Sequence, residues 1–170
     1  CLSGFISAIG TVMLPKVSRM TRMKQMDAVK RHIRLSMELV MCMVCAMAFG
    51  LAAVAVNFAP LFYGDDFAYS GTLMMPLAFT LLSIGFANVI RTQWVLPQGR
   101  DTIFVHSVLT GAVINLIANF VLIPPFGAMG AAAATVLAEF SVPAVQFVYL
   151  RKELPYAQYL KTTGVYCLFG

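Results

Sequence analysis

Long stretches without charge alternate with short charged stretches along the chain. No Asp, Glu, Lys or Arg occurs in Leu39–Gly64, in Phe67–Ile90 or in Thr102–Ala138. A helix needs about 20 residues to cross the roughly 30 Å of hydrocarbon in a bilayer. The first two stretches therefore predict one crossing each. The third is too long for one crossing and is interrupted at Pro124-Pro125, so it predicts one crossing and part of another.

This pattern predicts an all-α fold, a polytopic transmembrane helical bundle. We expect about four complete spans, at 36–62, 71–90, 103–123 and 128–150. Two incomplete spans are expected at the chain ends, from Cys1 to about Leu14 and from about Thr163. Because both ends lie within apolar runs, we expect residues 1–170 to be one membrane domain within a longer protein.

Composition supports the membrane assignment. The chain has 170 residues, of which 60% are hydrophobic and 11% are charged, with a mean hydropathy of +0.83. A soluble domain has about a quarter of its residues charged and must cover a large exposed surface with polar groups. The sequence does not contain enough polar residues for that.

The basic residues predict the orientation in the membrane. All twelve Lys and Arg residues fall in three alternate connections, at 16–34, 91–102 and 151–162. Short loops rich in Lys and Arg stay cytoplasmic. These connections are therefore predicted inside, and the turns near 63–70 and 124–127 outside. This topology also explains the net charge of +5, so nucleic acid is not predicted as a partner.

Segment 16–34 leaves two alternatives open. It could be a basic helix that lies on the inner leaflet and contacts anionic membrane lipids. The alternative, which we favour, is a connector that continues into the next span. Arg34 lies four residues before Glu38, a spacing that predicts an ion pair on one helix face.

Residues 119–140, NFVLIPPFGAMGAAAATVLAEF, predict a membrane hairpin. Pro124 and Pro125 lack N–H groups, so they are expected to end one helix, and Gly127 is expected to begin the next. Gly130 and Ala134 are small residues four positions apart, a spacing that allows close helix packing in lipid.

Glu139 lies near the middle of a predicted span. A charged group there costs at least about 2.5–3.5 kcal/mol on insertion scales. The carboxylate could respond to a cation or proton, line a substrate path, or form a hydrogen bond to a neighbouring helix. Asn115 and Asn119 belong to a stripe of small and polar residues that could line a cavity or pack against another helix. The other members of the stripe are Ser107, Thr110, Gly111 and Ala118.

No motif for enzymatic chemistry is present in the sequence. There is no nucleophile–base set, metal-ligand cluster or phosphate-binding glycine loop. We therefore predict a protein that is not an enzyme and that uses no metal or cofactor.

Four segments together resemble a known family. They are GTVMLPKVS at 10–18, APLFYGDDF at 59–67, VLPQGRD at 95–101 and INLIANFVLIPPFGAMGAAAATVLAE at 114–139. In order and spacing they resemble the Wzx-type oligosaccharide flippases, polysaccharide transporters of the multidrug/oligosaccharidyl-lipid/polysaccharide exporter superfamily. The resemblance implies that the chain is a fragment of the second, C-terminal bundle of a two-bundle transporter.

The resemblance also implies a function. Such proteins move undecaprenyl-linked oligosaccharide from the cytoplasmic to the outer leaflet of the bacterial cytoplasmic (inner) membrane, for polymers such as O-antigen or capsule. The substrate and the missing N-terminal bundle are then the expected partners. Arg91 and Arg100 could attract the substrate's pyrophosphate, or could reflect topology alone. The candidates for the substrate or ion pathway are Glu139, Asn115, Asn119, Arg91 and Arg100.

Two other functions fit the sequence. One is a cation-coupled antiporter of drugs or metabolites from the same superfamily. The other is a non-transporting membrane scaffold for polysaccharide assembly.

Overall fold

A computed structural model describes residues 2–64, 68–154 and 164, and all secondary structure elements in that part are helices. The prediction of an all-α membrane bundle is confirmed. Helices α1, α2 and α3 span Leu2–Arg22, Met26–Tyr63 and Ala68–Ile90. A π-helical turn, Arg91–Val95, and a 3-10 turn, Leu96–Gln98, continue α3. The last helical run is Asp101–Leu150.

The last run consists of two helices. Gly127 has φ 56° and ψ −132°, which is not a helical conformation. We therefore name residues 101–126 α4 and residues 128–150 α5. At about 1.5 Å per residue, the 50 residues of the whole run would reach about 75 Å, more than twice the thickness of the hydrocarbon. Folded at Gly127, the run supplies two crossings.

Helices long and apolar enough to span a membrane cover Met26–Ala59, Tyr69–Gln98 and Asp101–Leu150. The four complete spans predicted from the sequence lie within α2, α3, α4 and α5. The first incomplete span lies within α1. The predicted last span, except for Gly164, and residues 65–67 of the turn predicted near 63–70 lie outside the described residues.

The α4–α5 reversal confirms the predicted hairpin, with one difference. The backbone at Gly130 lies against the carbonyl oxygen of Leu122, with no room for a Cβ between them. The helix passes through Pro124 and Pro125, and the break occurs at Gly127. The fixed φ of proline is compatible with a helix, whereas the conformation of Gly127 is disfavoured for residues with a Cβ.

The basic segment 16–34 forms the end of α1 and the start of α2. Residues Met23 to Gln25 make the turn, where Lys24 has a positive φ of 56°. No separate surface helix forms there, which favours the connector alternative. The predicted ion pair is confirmed, because Arg34 Nε donates to Glu38 Oε1 at 3.1 Å.

Helices α2 and α3 pack closely along most of their length, and they share a core with α1. A Cβ on Gly71 would lie 2.6 Å from the carbonyl oxygen of Ala55, so the two backbones approach closely. On the other side of α3, the α4–α5 hairpin packs against it. The largest fully buried apolar side chains of the core are Ile33, Met37, Met41, Ile90 and Leu150.

The connection predicted at 91–102 begins later than expected. Thr92, Gln93, Trp94 and Val95 are buried, and helical turns continue to Gln98. The predicted end of the span at residue 90 coincides with the end of α3, and the π-helical and 3-10 turns extend the segment that could cross a membrane to Gln98. The uncharged run stops at Arg91, but Trp94 and Val95 still pack into the core, and this packing keeps the chain helical.

Candidate functional site

Helices α3, α4 and α5 line an open cavity of about 560 Å³. Its walls are mostly apolar, which suits a cavity between membrane helices. Polar side chains reach its surface from all three helices. They are Asn88 from α3, Arg91 from the π-helical turn that continues α3, Asn115 from α4, and Thr135, Glu139 and Gln146 from α5.

A hydrogen bond from α3 fixes the position of Glu139 relative to that helix. The Ser83 hydroxyl donates a hydrogen bond to the backbone carbonyl of Glu139. The side chain of Glu139 is partly buried and lines the cavity. Within the described part of the chain, its carboxylate makes no ion pair. The carboxylate is therefore available to a solute or cation in the cavity.

Asn115 and Asn119 have different surroundings. Asn115 lines the cavity, and its Oδ1 accepts a hydrogen bond of 3.0 Å from Asn119 Nδ2. Asn119 lies one turn further along α4, beside a shallow apolar depression formed with Leu116, Phe120 and Pro124. The contact of Asn119 with the cavity is therefore indirect, through its hydrogen bond to Asn115.

Arg91 lies at another level of the cavity. Its guanidinium carbon is 4.9 Å from the centroid of the Phe104 ring, a cation–π contact. Ser83 contacts the backbone of Glu139 and therefore lies at the same level of the cavity. Ser83 precedes Arg91 by eight residues, which correspond to about 12 Å along a helix. The cavity therefore has a carboxylate at one level and a guanidinium at another.

Arg100 is not among the residues that line the cavity. Its Nη1 donates to Glu153 Oε2 at 2.6 Å, and Trp94 Nε1 donates to the same oxygen at 3.1 Å. The hydrogen bond from Arg100 is the main reason that the pKa of Glu153 lies below its usual value. These contacts join the α3–α4 connection to the residues after α5.

The sequence analysis missed three polar residues that line the cavity, Asn88, Thr135 and Gln146, and the aromatic residue Phe104. Thr135, Glu139 and Gln146 follow one another at steps of four and seven residues, which puts them on one face of a helix. Asn88 and Arg91 are three residues apart and likewise share a face. This spacing could have identified them, whereas nothing in the sequence indicates that Phe104 faces Arg91.

Among the described residues, no group of three or more His, Cys, Asp and Glu side chains could hold a metal ion. The site consists of one carboxylate, one guanidinium and several amides on membrane helices. This arrangement suits the binding of a polar solute or ion during transport.

The fold and the site define a helical membrane bundle with an open cavity that several polar side chains line. Residues 2–167 match the family described as Lipid II flippase MurJ, and the chain belongs to that family. The assignment to the flippase superfamily from sequence motifs is thereby confirmed. The protein is a multi-pass membrane protein.

Individual relatives agree with this family. The chain is 23% identical over 127 residues to a putative O-antigen transporter of Shigella dysenteriae, an overlap of 75% of this chain and 31% of that protein. It is 25% identical over 133 residues to Agl15, a probable low-salt glycan biosynthesis flippase of Haloferax volcanii, an overlap of 78% and 28%. An uncharacterized membrane protein of Methanocaldococcus jannaschii is 26% identical over 153 residues, an overlap of 90% and 30%.

The chain therefore spans about a third or less of the length of these curated relatives. No solved structure matches it.

Proposed function

We propose that this chain is part of a flippase that moves a lipid-linked oligosaccharide from the cytoplasmic to the outer leaflet. The observation that carries the proposal is a cavity to which three helices contribute polar side chains, within a membrane bundle of the lipid II flippase family. A glycan needs polar surroundings to cross hydrocarbon, while its lipid tail remains in the bilayer. No covalent bond is broken in such a step, so the protein acts as a transporter and not as an enzyme.

Glu139 and Asn115 are the side chains we assign to the polar path. Their carboxylate and amide oxygens can accept hydrogen bonds from sugar hydroxyl groups, and the Asn115 amide can also donate them. Asn119 supports this role by holding Asn115 through their hydrogen bond.

The protein is proposed to lie in the bacterial cytoplasmic membrane, with the basic connections 16–34, 91–102 and 151–162 inside. The α4–α5 reversal at Gly127 then faces outward. A reporter fused after Phe126 that gave a cytoplasmic signal would contradict this orientation.

The relatives are much longer than this chain, which indicates that further parts of the same protein contact it. The chain is proposed to belong to the second of two helical bundles, with the first bundle supplied by the rest of the same protein. Alternating access between the bundles would carry an undecaprenyl-linked oligosaccharide across, for an O-antigen or capsule-type polymer.

One observation favours a second candidate, a cation-coupled antiporter of drugs or metabolites. Glu139 presents a carboxylate without an ion-pair partner in the described structure, at a cavity within the membrane. Such a group binds cations or protons in many transporters. The two candidates differ in cargo, so the test must measure glycan export.

The test expresses the full-length gene in strains that lack a lipid II flippase or an O-antigen flippase, and measures growth or surface polysaccharide. We expect the wild-type gene to restore one of these functions. Glu139→Gln should reduce the restored function about tenfold or more, because a hydrogen bond to a charged group is worth about 1.5–3 kcal/mol.

Glu38→Gln is the matched control, because Glu38 pairs with Arg34 at the surface and does not line the cavity. Normal export by Glu139→Gln would contradict the role of this carboxylate. Failure of the wild-type protein in every strain, despite normal membrane expression, would contradict the flippase function itself.

A further inference from the structure

The connection between α1 and α2 carries a dense positive charge. Residues 16–34 contain seven basic residues and one acidic residue, Asp27. Arg34 is paired with Glu38, and Lys30 is partly buried. The other five basic side chains are exposed and make no ion pair within the described residues. They are Lys16, Arg19, Arg22, Lys24 and Arg31.

The turn that joins the two helices has a lysine where glycine is usual. The Gln25 N–H donates to the Met20 carbonyl at 3.2 Å, and the Lys24 N–H donates to the Thr21 carbonyl at 3.0 Å. These two hydrogen bonds form a Schellman motif at the end of α1, in which the position of Lys24 has a left-handed conformation and is most often glycine. Lys24 has a φ of 56°. Because a Cβ is disfavoured in that conformation, glycine would suit the backbone better, and the lysine adds charge at the tip of the turn.

The positions of these charges along α1 fit the headgroup layer of a membrane. The apolar part of α1 ends at Leu14, and Lys16 and Arg19 follow it by two and five residues, or about 3 and 8 Å along the helix. A bilayer about 40–45 Å thick with a core of about 30 Å has a headgroup layer of about 5–8 Å on each side. Lys24 lies about 15 Å beyond Leu14 along α1, within about one Debye length of that layer, where the potential of anionic lipids still acts.

The basic side chains of the connection at 91–102 are used differently. Arg100 is neutralised by Glu153 at 2.6 Å, and Arg91 packs against the ring of Phe104. Their contacts lie within the protein, whereas the five side chains of the α1–α2 connection are directed to the surroundings. The α1–α2 connection is therefore the part of the described structure that best complements an anionic surface.

We propose that the α1–α2 connection binds the headgroups of anionic phospholipids in the inner leaflet, with Lys24 at the tip of the binding surface. This surface is separate from the cavity, because none of its five exposed basic residues lines the cavity. The lipid is thus a component of the surrounding membrane and not the cargo. The inference does not depend on which cargo the cavity carries.

The test uses the full-length protein in vesicles and a phosphatidylglycerol with a photoactivatable headgroup, with the matching phosphatidylcholine as the comparison. Mass spectrometry measures the crosslinking yield in residues 16–34. We expect a higher yield with phosphatidylglycerol than with phosphatidylcholine, and a decrease of this excess at high salt. Equal yields for the two lipids, or an excess that does not depend on salt, would overturn the proposal.

Variants locate the binding. The triple variant Arg19→Gln, Arg22→Gln, Lys24→Gln should lower the phosphatidylglycerol yield about tenfold or more, because each basic residue near an anionic surface contributes about fivefold. Arg151→Gln with Lys152→Gln is the matched control, since these residues are exposed in another connection assigned to the cytoplasmic side. The control should leave the yield in 16–34 within about twofold of wild type. A normal yield in the triple variant, or an equal loss in the control, would contradict the assignment.

Lys24→Gly separates the charge from the fold. Glycine suits the left-handed position, so the Tm should stay the same or rise, while the phosphatidylglycerol yield falls about fivefold. Lys24→Arg should keep the yield within about twofold of wild type. A Tm that fell in Lys24→Gly, or a yield that did not, would contradict the role of the Lys24 charge.

The same vesicles test the other class of partner, an acidic protein, with labelled poly-L-glutamate as the probe. If poly-L-glutamate binds the wild type and is lost from the triple variant, while the phosphatidylglycerol yield is equal in both, the lipid assignment is overturned. Glycan export is measured separately. A protein that exports no glycan but shows the expected yields contradicts the flippase function alone, and one that exports glycan without the excess yield contradicts the lipid surface alone.

Discussion

Gly127 allows the chain to reverse direction between two membrane helices by a backbone conformation that other residues avoid. Its φ of 56° and ψ of −132° are close to the first central position of a type II′ turn, where glycine predominates. Apart from Gly127 itself and its neighbours along the chain, no atom lies within 4 Å of the position that a Cβ would occupy. The need for glycine there comes from the backbone conformation and not from crowding.

Gly127→Ala should therefore destabilise the protein. We expect a loss of about 1–3 kcal/mol, the usual cost of a residue with a Cβ in a disfavoured backbone region. The measurement is the Tm of the full-length protein in detergent. Gly50→Ala is the matched control, because Gly50 lies within α2 and also has nothing within 4 Å of its Cβ position. This control should leave the Tm unchanged or raise it. An equal Tm for Gly127→Ala and wild type would contradict the account.

Sequence reasoning at the residue scale identified Glu139 and Asn115, because a polar group in a long apolar run is conspicuous. It could not separate Arg91 from Arg100. Their difference depends on Glu153, which lies 53 positions after Arg100 and is brought to it only by the fold. The contact of Arg91 with the ring of Phe104 is likewise made only by the fold.

At the scale of elements, the end of α5 is tied to the connection between α3 and α4. Trp94 and Arg100 both donate to Glu153 Oε2, at 3.1 and 2.6 Å. The hydrogen bond from Arg100 is the largest influence on this carboxyl and lowers its pKa, and the Trp94 hydrogen bond acts in the same direction. Glu153 lies beyond α5, outside the spans.

The stability that Glu153 supplies should depend on pH. Because its pKa is lower in the folded than in the unfolded state, its contribution is complete above the unfolded pKa and is lost as the pH falls through the folded pKa. Glu153→Gln should therefore be less stable than wild type at neutral pH, and the gap should close in acid. The gap should be about 1 kcal/mol or less, because the two side chains are 39% and 33% exposed and solvent screens the pair.

The measurement is the Tm of wild type and Glu153→Gln across a range of acidic to neutral pH. Glu38→Gln serves as the control for removing a carboxylate from a more exposed pair, that of Arg34 and Glu38. A gap that stayed constant, or that widened as the pH fell, would contradict the assigned direction of the shift.

The sequence predicted where the membrane helices lie better than it predicted where the connections between them begin. Uncharged runs located the membrane crossings, and the Pro-Pro-Phe-Gly stretch located the reversal. α3 ends at Ile90, where the uncharged run ends, but the buried Trp94 and Val95 belong to helical turns that continue to Gln98. Burial in the core, which the charge pattern does not reveal, determines where the connection begins.

At the scale of the molecule, α3 joins two units of the described structure. It packs against α1 and α2 on one side and against the α4–α5 hairpin on the other. The hairpin exposes a broad apolar surface that includes Leu109, Phe120 and Leu137, as expected for helices in lipid or against further helices. The sequence predicted this bundle. It could not predict the cavity, because the cavity depends on how three helices are arranged relative to one another.

The most direct test of the flippase function uses the full-length protein reconstituted in lipid vesicles. A labelled lipid-linked oligosaccharide is placed in one leaflet, and its appearance in the other is followed with a reagent that cannot cross the membrane. We predict that the label becomes accessible faster than in protein-free vesicles. If the label stays in its original leaflet while the same vesicles exchange a cationic drug for an ion, the flippase account is contradicted and the antiporter is supported.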